Sequence, residues 1–374
     1  MIEVLRLVNF KCFEDQSLCF GPITLLSGLN GMGKSSILQA LLLLRQSYSQ
    51  GLLPAEGLAL NGDLVRVGSN QDALFEGAKE DRIRFGVTWA GRTTAEWMFG
   101  SGRGADVLTL ESPPVSERVY EQALFSDKFH YLQAERVGPR TFFEMSDYVV
   151  RQHEQLGTRG EYSAQFLLAF GSSRSICDPR LMHPNAMSPK LQDQVEAWMG
   201  EISPGTRIHY TPHAAMDVVN LEYSFVAGQQ VSNSFRSTNV GFGITFVLPI
   251  LVAILSSSPG TLILIENPEA HLHPRGQVEI GRLAARAASC GIQVVLETHS
   301  DHVLNGFRIA VYDGLLKPQD VCLHFLDRSA SAETGSASVV SPQIDQDGRI
   351  AYAPDGFFDE WAKSLEALLK PREG

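Results

Sequence analysis

A glycine-rich loop between a strand and a helix constrains this chain more than any other feature. The apolar run over Ile23–Ser27 predicts a strand, and residues 35–48 predict an apolar helix. Between them stands GLNGMGKS at 28–35, which is the full pattern GxxxxGK[ST]. Strand, loop and helix in this order form the phosphate-binding unit known as a Walker A loop.

This loop predicts contacts with ATP and Mg²⁺. Its glycines let backbone N–H groups face the phosphates, and the start of the helix adds a positive dipole. Lys34 is expected to reach the β- and γ-phosphates, and the Ser35 hydroxyl to ligate Mg²⁺. The predicted ATP contacts in the loop are Asn30, Gly31, Gly33, Lys34, Ser35 and Ser36.

A second apolar strand, 261–265, ends in Glu266 and has the form of a Walker B motif. A carboxylate at that strand end is expected to hold Mg²⁺, through a water molecule. The alternative is an ordinary central strand with a surface carboxylate at its tip. The complete Walker A loop in the same chain favours the Walker B interpretation.

Composition sets broad limits on the class of protein. The 374 residues are 44% apolar, enough for one large α/β domain or two smaller ones. Five scattered cysteines without a CxxC pair indicate neither a disulfide framework nor a zinc site. No apolar run is long enough to cross a bilayer, and the start lacks the pattern of a signal peptide, so we expect a cytoplasmic protein.

The formal charge of -11 means that the surface as a whole does not attract nucleic acid. A local basic groove stays possible, although a solvated face is the simpler interpretation. Its candidate residues are Arg136, Arg140, Arg151, Arg159, Arg174 and Arg180.

Several further segments together resemble one family. ENPEAHLHP at 266–274 is similar to the EEPEAHLHP segment of OLD-type ATPases, and LETHS at 296–300 to a strand end that carries a switch histidine. NFKCF at 9–13 is similar to the start of SMC and RecF heads. Residues 131–140 and 353–361 look like blocks of bacterial ABC ATPases with an uncharacterised C-terminal domain, often found in antiviral defence operons.

The chain thus resembles an ABC-type AAA-family ATPase of the SMC, RecF and OLD-like branch. The resemblance implies an α/β ABC head with a central mixed or parallel sheet, an antiparallel β layer and a helical insertion. We expect an N-terminal lobe over 1–140 with the Walker A loop, a helix-rich insertion with a β hairpin over 141–235, and a C-terminal lobe over 236–374. The tail over 357–369 predicts an amphipathic helix that packs Phe358, Trp361, Leu365 and Leu368 inward.

The resemblance also implies contacts across a homodimer. It places a degenerate ABC signature before the helix near residue 243, where Asn239, Gly241 and Gly243 would reach ATP held by the other subunit. The alternative there is a tight turn that opens a core helix. Lys11 is placed among the nucleotide contacts, and His299 as a γ-phosphate sensor rather than a capping or core histidine.

One position departs from the family pattern. The residue after the Walker B acid, expected to be a glutamate that polarises the attacking water, is Asn267. Asparagine cannot accept a proton, so the sequence predicts slow hydrolysis unless Glu269 substitutes. The predicted catalytic set is Glu266, Asn267, Glu269 and His299, with Glu297 at the same strand end as His299 placed to support it or the water.

Three functions follow as expectations. The first is an ATP-driven homodimeric switch that controls a separate effector protein encoded nearby, such as a nuclease, in anti-phage defence. The second is a DNA-binding repair ATPase of the RecF or SMC type, whose affinity would depend on salt. The third, a transporter subunit, is disfavoured because no LSGGQ signature is present.

Overall fold

The computed structural model describes residues 1–100, 104–327 and 336–370. The last residues of the predicted C-terminal lobe and a stretch within it therefore lie outside the described part. Strands within that part are β1 (Ile2–Phe10), β2 (Phe13–Cys19), β3 (Ile23–Gly28), β4 (Gly57–Ala59), β5 (Arg82–Trp89), β6 (Thr93–Gly100), β7 (Val107–Leu110), β8 (Phe129–Leu132), β9 (Phe142–Glu144), β10 (Thr206–His213), β11 (Val218–Ala227), β12 (Gln230–Val231), β13 (Phe235–Arg236), β14 (Leu262–Glu266), β15 (Gln293–Glu297), β16 (Val321–Asp327) and β17 (Ser338–Val340). Its α-helices are α1 (Lys34–Ser49), α2 (Asn70–Ala73), α3 (Ser163–Phe170), α4 (Leu191–Ile202), α5 (Phe242–Ser256), α6 (Pro274–Ser289), α7 (Asp301–Tyr312) and α8 (Glu360–Leu369).

The central sheet has the strand order β17-β16-β3-β15-β14-β8. Five of its strands are parallel, and only β17 is antiparallel to its neighbour. Both faces are covered, which explains the continuous apolar sequence of β14. Ile263 and Ile265 pack into a core with α5, α6 and α7, whereas Leu262 and Leu264 pack into a second core with α1.

The N-terminal antiparallel sheet has the order β2-β1-β5-β6-β7-β4 and shares its core with α1. In β5 every second residue is buried, as the alternating sequence predicts. Trp89 and Trp97 fill this core. The mixed α/β architecture with an antiparallel layer is confirmed.

A third sheet lies within 142–236, beside α3 and α4. Its longest strand, β11, pairs with β9, β10, β12 and β13. The sequence interpretation of this region as helix-rich with a hairpin missed β9 and β10. Strand β10 gives little apolar signal, because Ile208 is its one buried hydrophobic residue.

The prediction for the tail is right for Phe358, which is partly buried against the core, and wrong for Trp361, Leu365 and Leu368. Helix α8 begins at Glu360 and none of its residues is buried. Trp361 is 75% exposed and Leu368 is 82% exposed. Phe357, just before the helix, is the buried residue of this segment and packs edge-on against Phe325 of β16.

Candidate functional site

The carboxyl ends of β3, β15, β14 and β8 meet at one edge of the central sheet, where ligands of open α/β sheets bind. At this edge Lys34 is buried, and its ammonium donates to the carbonyl oxygens of Gly28 and Leu29 at 2.9 Å each. Burial lowers the pKa of Lys34, and the nearby Glu297 carboxylate opposes that shift. The Lys34 ammonium thus lies inside the loop that the sequence predicts to hold phosphate.

Glycine is required at two positions of the loop. Gly33 has φ 97° and caps α1, and a Cβ there would lie 2.2 Å from the Cys12 sulfur. Gly28 has φ 138°, and a Cβ would meet the Leu326 carbonyl oxygen at 2.2 Å. No side chain caps α1 and no acidic residue lies in its first turn, so the N–H groups at its start, other than that of Ser36, are left for a ligand.

The rest of the predicted loop contacts differ in exposure. Asn30 and Gly31 are exposed at the turn, and Gly31 has φ 78°. Ser36 is buried, and its N–H donates to the Gly33 carbonyl at 3.1 Å.

Two carboxylates stand side by side at the ends of β14 and β15, because Glu266 and Glu297 are Cα partners in the parallel ladder. The Ser35 hydroxyl donates to Glu297 Oε1 at 3.1 Å. Burial raises the pKa of Glu297 to about 7, the Glu266 charge adds to the rise, and Lys34 and Ser35 oppose it. Glu297 Oε2 is buried without a hydrogen-bond partner in the described chain.

Glu266 is held from the other side. The Tyr131 hydroxyl donates to its Oε1 at 2.9 Å, and the Ala134 N–H donates to its Oε2 at 3.2 Å. Burial, with the Glu266 charge next, raises the pKa of Tyr131, which keeps the phenol protonated as a donor. The predicted Walker B acid therefore has both oxygens oriented from β8 and the turn after it.

Asn267 sits in the left-handed region with φ 42°. Its N–H donates to the Glu297 carbonyl at 2.8 Å, and its carbonyl accepts from Arg136 at 2.6 Å. The Arg136 guanidinium is buried and also donates to the carbonyl of Glu266 at 2.7 Å. Asparagine tolerates this backbone conformation better than glutamate does, so the local fold supplies a reason for Asn267.

Glu269 ties the loop after β14 to the end of β15. Its Oε2 accepts from the Thr298 hydroxyl at 2.7 Å and its Oε1 from the His299 N–H at 2.9 Å. His299 is exposed, although part of its ring is shielded from solvent. This partial burial and the nearby Lys34 charge lower the pKa of His299, and the Glu269 charge opposes that shift. With both oxygens engaged, Glu269 has the geometry of a tether.

Two open cavities flank the Walker A loop. One, of about 490 Å³, is lined by Ser35, Gln39, Gly62, Asp63, Leu64, Val65, Arg66, Tyr131, Gln133 and Glu266. The other, of about 290 Å³, is lined by Ser27, Gly28, Leu29, His299, Phe325, Gly356, Phe358, Asp359 and Glu360. His299 and the segment leading into α8 thus share one cavity with the loop.

Lys11 adopts φ 52° and its ammonium donates to Gln39 Oε1 at 2.6 Å. Gln39 lines the larger cavity, so Lys11 contacts a residue of the cavity wall. Gln133 follows β8 and lines the same cavity, although the sequence analysis did not single it out. Its place directly after a strand of a parallel sheet was the available signal.

The predicted signature segment lies elsewhere. Asn239, Gly241 and Phe242 are exposed, and Gly241 starts α5 without a side-chain cap. Gly243 packs against the His271 carbonyl, where a Cβ would approach to 2.5 Å. Within the described residues no hydrogen bond joins 239–243 to 28–36.

The six arginines do not form a free basic face. Arg136 is buried, which corrects its prediction as a surface contact. Four of the others pair with neighbouring carboxylates: Arg151 with Asp147, Arg159 with Glu135, Arg174 with Glu154 and Arg180 with Asp178. Arg140 is exposed.

No helix in the described ranges is both long and apolar enough to span a membrane. Those ranges also hold no cluster of three or more histidine, cysteine, aspartate or glutamate side chains arranged to bind a metal.

Three family models match separate parts of the chain. Residues 1–88 match "AAA ATPase domain", residues 220–305 match "AAA domain, putative AbiEii toxin, Type IV TA system", and residues 316–368 match "Protein of unknown function (DUF3696)". No curated protein matches the chain. The two AAA matches support ATPase activity and nucleotide binding.

Solved structures confirm the fold class. An SMC head bound to the C-terminal winged-helix domain of ScpA matches with a TM-score of 0.56 and 15% identity, over 91% of this chain and 98% of that one. An SMC head with an extended coiled coil, bound to the C-terminal domain of ScpA from Pyrococcus furiosus, matches with 0.52 and 13% over 99% of both. The fold is that of a P-loop ATPase head of the SMC type.

Proposed function

We propose that this chain is a Mg-ATP-dependent ATPase head that closes as a homodimer over two nucleotides and acts as a slow switch for a separate effector protein. The observation that carries the proposal is the convergence of Lys34, Ser35, Glu266, Glu297 and His299 at one sheet edge. A lysine, a hydroxyl and two carboxylates around an uncapped helix start suit a phosphate with its cation.

The residues fit Mg²⁺ on their own chemistry. Glu297 Oε2 is a buried carboxylate oxygen without a partner in the described chain, and the Ser35 hydroxyl lies against the same carboxylate. Mg²⁺ favours such hard oxygen ligands together with phosphates. Ser35 and Glu266 would hold the ion there, and the ion would neutralise charge on the phosphates.

Slow turnover follows from Asn267. Its amide can orient a water molecule but cannot take its proton, and loss of a general base typically lowers a rate by about 10²- to 10⁴-fold. Glu269 does not substitute in this proposal, because its hydrogen bonds to the Thr298 hydroxyl and the His299 N–H direct the carboxylate to the end of β15. It holds His299 at the mouth of the smaller cavity, where the imidazole can meet a γ-phosphate.

Dimerisation is supported by the separation of the two glycine-rich turns. The start of α5 is exposed, uncapped and not hydrogen-bonded to the Walker A loop of its own chain. A second copy can bring this helix start to the nucleotide, and a two-fold axis makes two such sites. Asn239, Gly241 and Gly243 then contribute in trans.

A separate effector is supported by the tail and by one comparison. The apolar residues of α8 are exposed, and the segment that leads into α8 lines the smaller cavity beside the Walker A loop. ATP binding at the loop could therefore change how α8 contacts a partner. The model matching 220–305 has AbiEii in its description, which supports a role in defence.

Single-turnover hydrolysis and light scattering with Mg-ATP test the proposal. The proteins are the wild type, Lys34→Ala, Asn267→Asp and Asn267→Glu. Aspartate tolerates the left-handed conformation of Asn267, so Asn267→Asp adds a carboxylate with little backbone strain and controls for misfolding in Asn267→Glu.

We expect the wild type to dimerise with ATP and Lys34→Ala to stay monomeric. At least one Asn267 variant should hydrolyse ATP about tenfold or more faster. Rapid turnover by the wild type, unchanged in both Asn267 variants, would contradict the slow switch and favour a cycling motor.

A further inference from the structure

The Walker A hydroxyl is bonded to a carboxylate that is not the Walker B acid. Ser35 donates to Glu297, on the strand between the Walker A and Walker B strands. Glu266 lies one strand further away, and both its oxygens accept from Tyr131 and Ala134. Glu297 is therefore the acid in direct contact with the predicted cation-binding hydroxyl.

Glu297 is also the less satisfied of the two. The residue is 6% exposed, and its Oε2 is buried and has no partner within the described residues. A buried carboxylate oxygen without a hydrogen bond is costly unless something of opposite charge completes it.

Lys34 makes no hydrogen bond to Glu297 Oε2 within the described residues. The ammonium donates to the carbonyls of Gly28 and Leu29. Two carboxylates on strands about 5 Å apart repel each other, and a divalent cation between them removes that repulsion.

We propose that Glu297 supplies a second protein carboxylate to the Mg²⁺ bound with ATP, alongside Ser35 and Glu266. The inference rests on the proposed function and adds a residue from β15 to its cation site. Glu297 thereby links the cation to Thr298 and His299, which follow it directly in the chain.

Isothermal titration calorimetry with AMP-PNP tests this role without hydrolysis. The dissociation constant is measured in saturating MgCl₂ and in EDTA, and the ratio of the two reports the contribution of the cation. The proteins are the wild type, Glu297→Gln, Glu297→Asp and Glu269→Gln. Glu269→Gln removes an acid of the same site whose oxygens are already occupied, so it controls for the general loss of negative charge.

Glu297→Gln should lower the ratio by roughly 10- to 100-fold. Its affinity in EDTA should equal or exceed that of the wild type, because a negative charge near the phosphates is gone. Glu297→Asp should lie between the two, and Glu269→Gln should keep the wild-type ratio. A merely structural role would instead weaken binding in both buffers.

An unchanged ratio in Glu297→Gln would overturn this role while leaving the proposed function intact. An equally large drop of the ratio in Glu269→Gln would also overturn the role, since loss of charge alone would then explain the effect. Failure of the wild type to bind AMP-PNP, or equal binding by Lys34→Ala, would overturn the proposed function and this inference with it.

Discussion

Helices α1 and α5 both start at a glycine without a side-chain cap or an acid in the first turn, yet their surroundings are opposite. The start of α1 is enclosed by the Walker A loop and its acids, whereas Phe242 in the first turn of α5 is 57% exposed. Helices α6 and α7, by contrast, are capped within the chain by His273 and Ser300.

The difference shows where the fold leaves backbone donors for a ligand. Uncapped N–H groups cost free energy unless water or an anion satisfies them. At α1 the chain encloses those donors, and at α5 it leaves them exposed, where the proposed homodimer would place a second copy. We interpret the pair as two halves of one composite site that a second copy completes.

The largest expected effect comes from Gly241. A Cβ there meets nothing within 4 Å and φ is -60°, so the fold does not need glycine. Gly241→Glu should fold normally and bind ATP as a monomer, but should lose ATP-induced dimerisation. Hydrolysis should fall on the order of 100-fold, because a carboxylate would oppose the partner's phosphates.

Mixing Gly241→Glu with Lys34→Ala sharpens the comparison. Neither variant dimerises alone, so an equimolar mixture should form only mixed dimers, each with one intact composite site. Hydrolysis should then return to about half of the wild-type rate if sites are independent. Full activity of Gly241→Glu alone, or no recovery on mixing, would break the interpretation of α5 as the second half.

A smaller effect, on stability, is expected at Gly243. A Cβ there would lie 2.5 Å from the His271 carbonyl oxygen. Gly243→Ala should lower the free energy of unfolding by about 1–3 kcal/mol through overpacking. Gly241→Ala is the matched control and should change it by less than about 0.5 kcal/mol. Equal losses in urea denaturation would mean that both glycines are structural.

The tether at the end of β15 gives a further test within the α1 half. Thr298→Val removes the hydroxyl that donates to Glu269 and that accepts from the Ser300 N–H at 3.0 Å. We expect a loss of about 1–2 kcal/mol in unfolding free energy. Single-turnover hydrolysis should slow while AMP-PNP affinity is kept, because His299 loses its support. Thr298→Ser retains a hydroxyl and should behave like the wild type in both measurements.

The sequence predicted the Walker A strand, loop and helix far better than the contacts of the acids around them. A continuous apolar run, glycines and a Lys-Ser pair specify strand, loop and helix locally, so β3 and α1 are as expected. Contacts made across strands have no local signal: the pairing of Ser35 with Glu297 depends on strand order. The same holds for Arg136, whose burial depends on carbonyls distant in the chain.

At the tail, the sequence predicted the helix but not its surroundings. Its i, i+3, i+4 apolar spacing predicts a helix, and α8 is one, but the period does not say whether another surface covers the apolar face. Nothing in the described chain covers Trp361 or Leu368. Amphipathic spacing therefore predicted the element and misassigned its environment.

The smallest expected effect tests that correction at the edge of the α1 half. Trp361→Ser should change the unfolding free energy of the monomer by less than about 0.5 kcal/mol, because an exposed side chain loses little packing. Phe357→Ser, four residues earlier and 3% exposed, should cost about 3–5 kcal/mol. Urea denaturation without nucleotide measures both. A Trp361→Ser loss as large as that of Phe357→Ser would place α8 against the body of the head and remove it as a surface through which ATP binding could act on a partner.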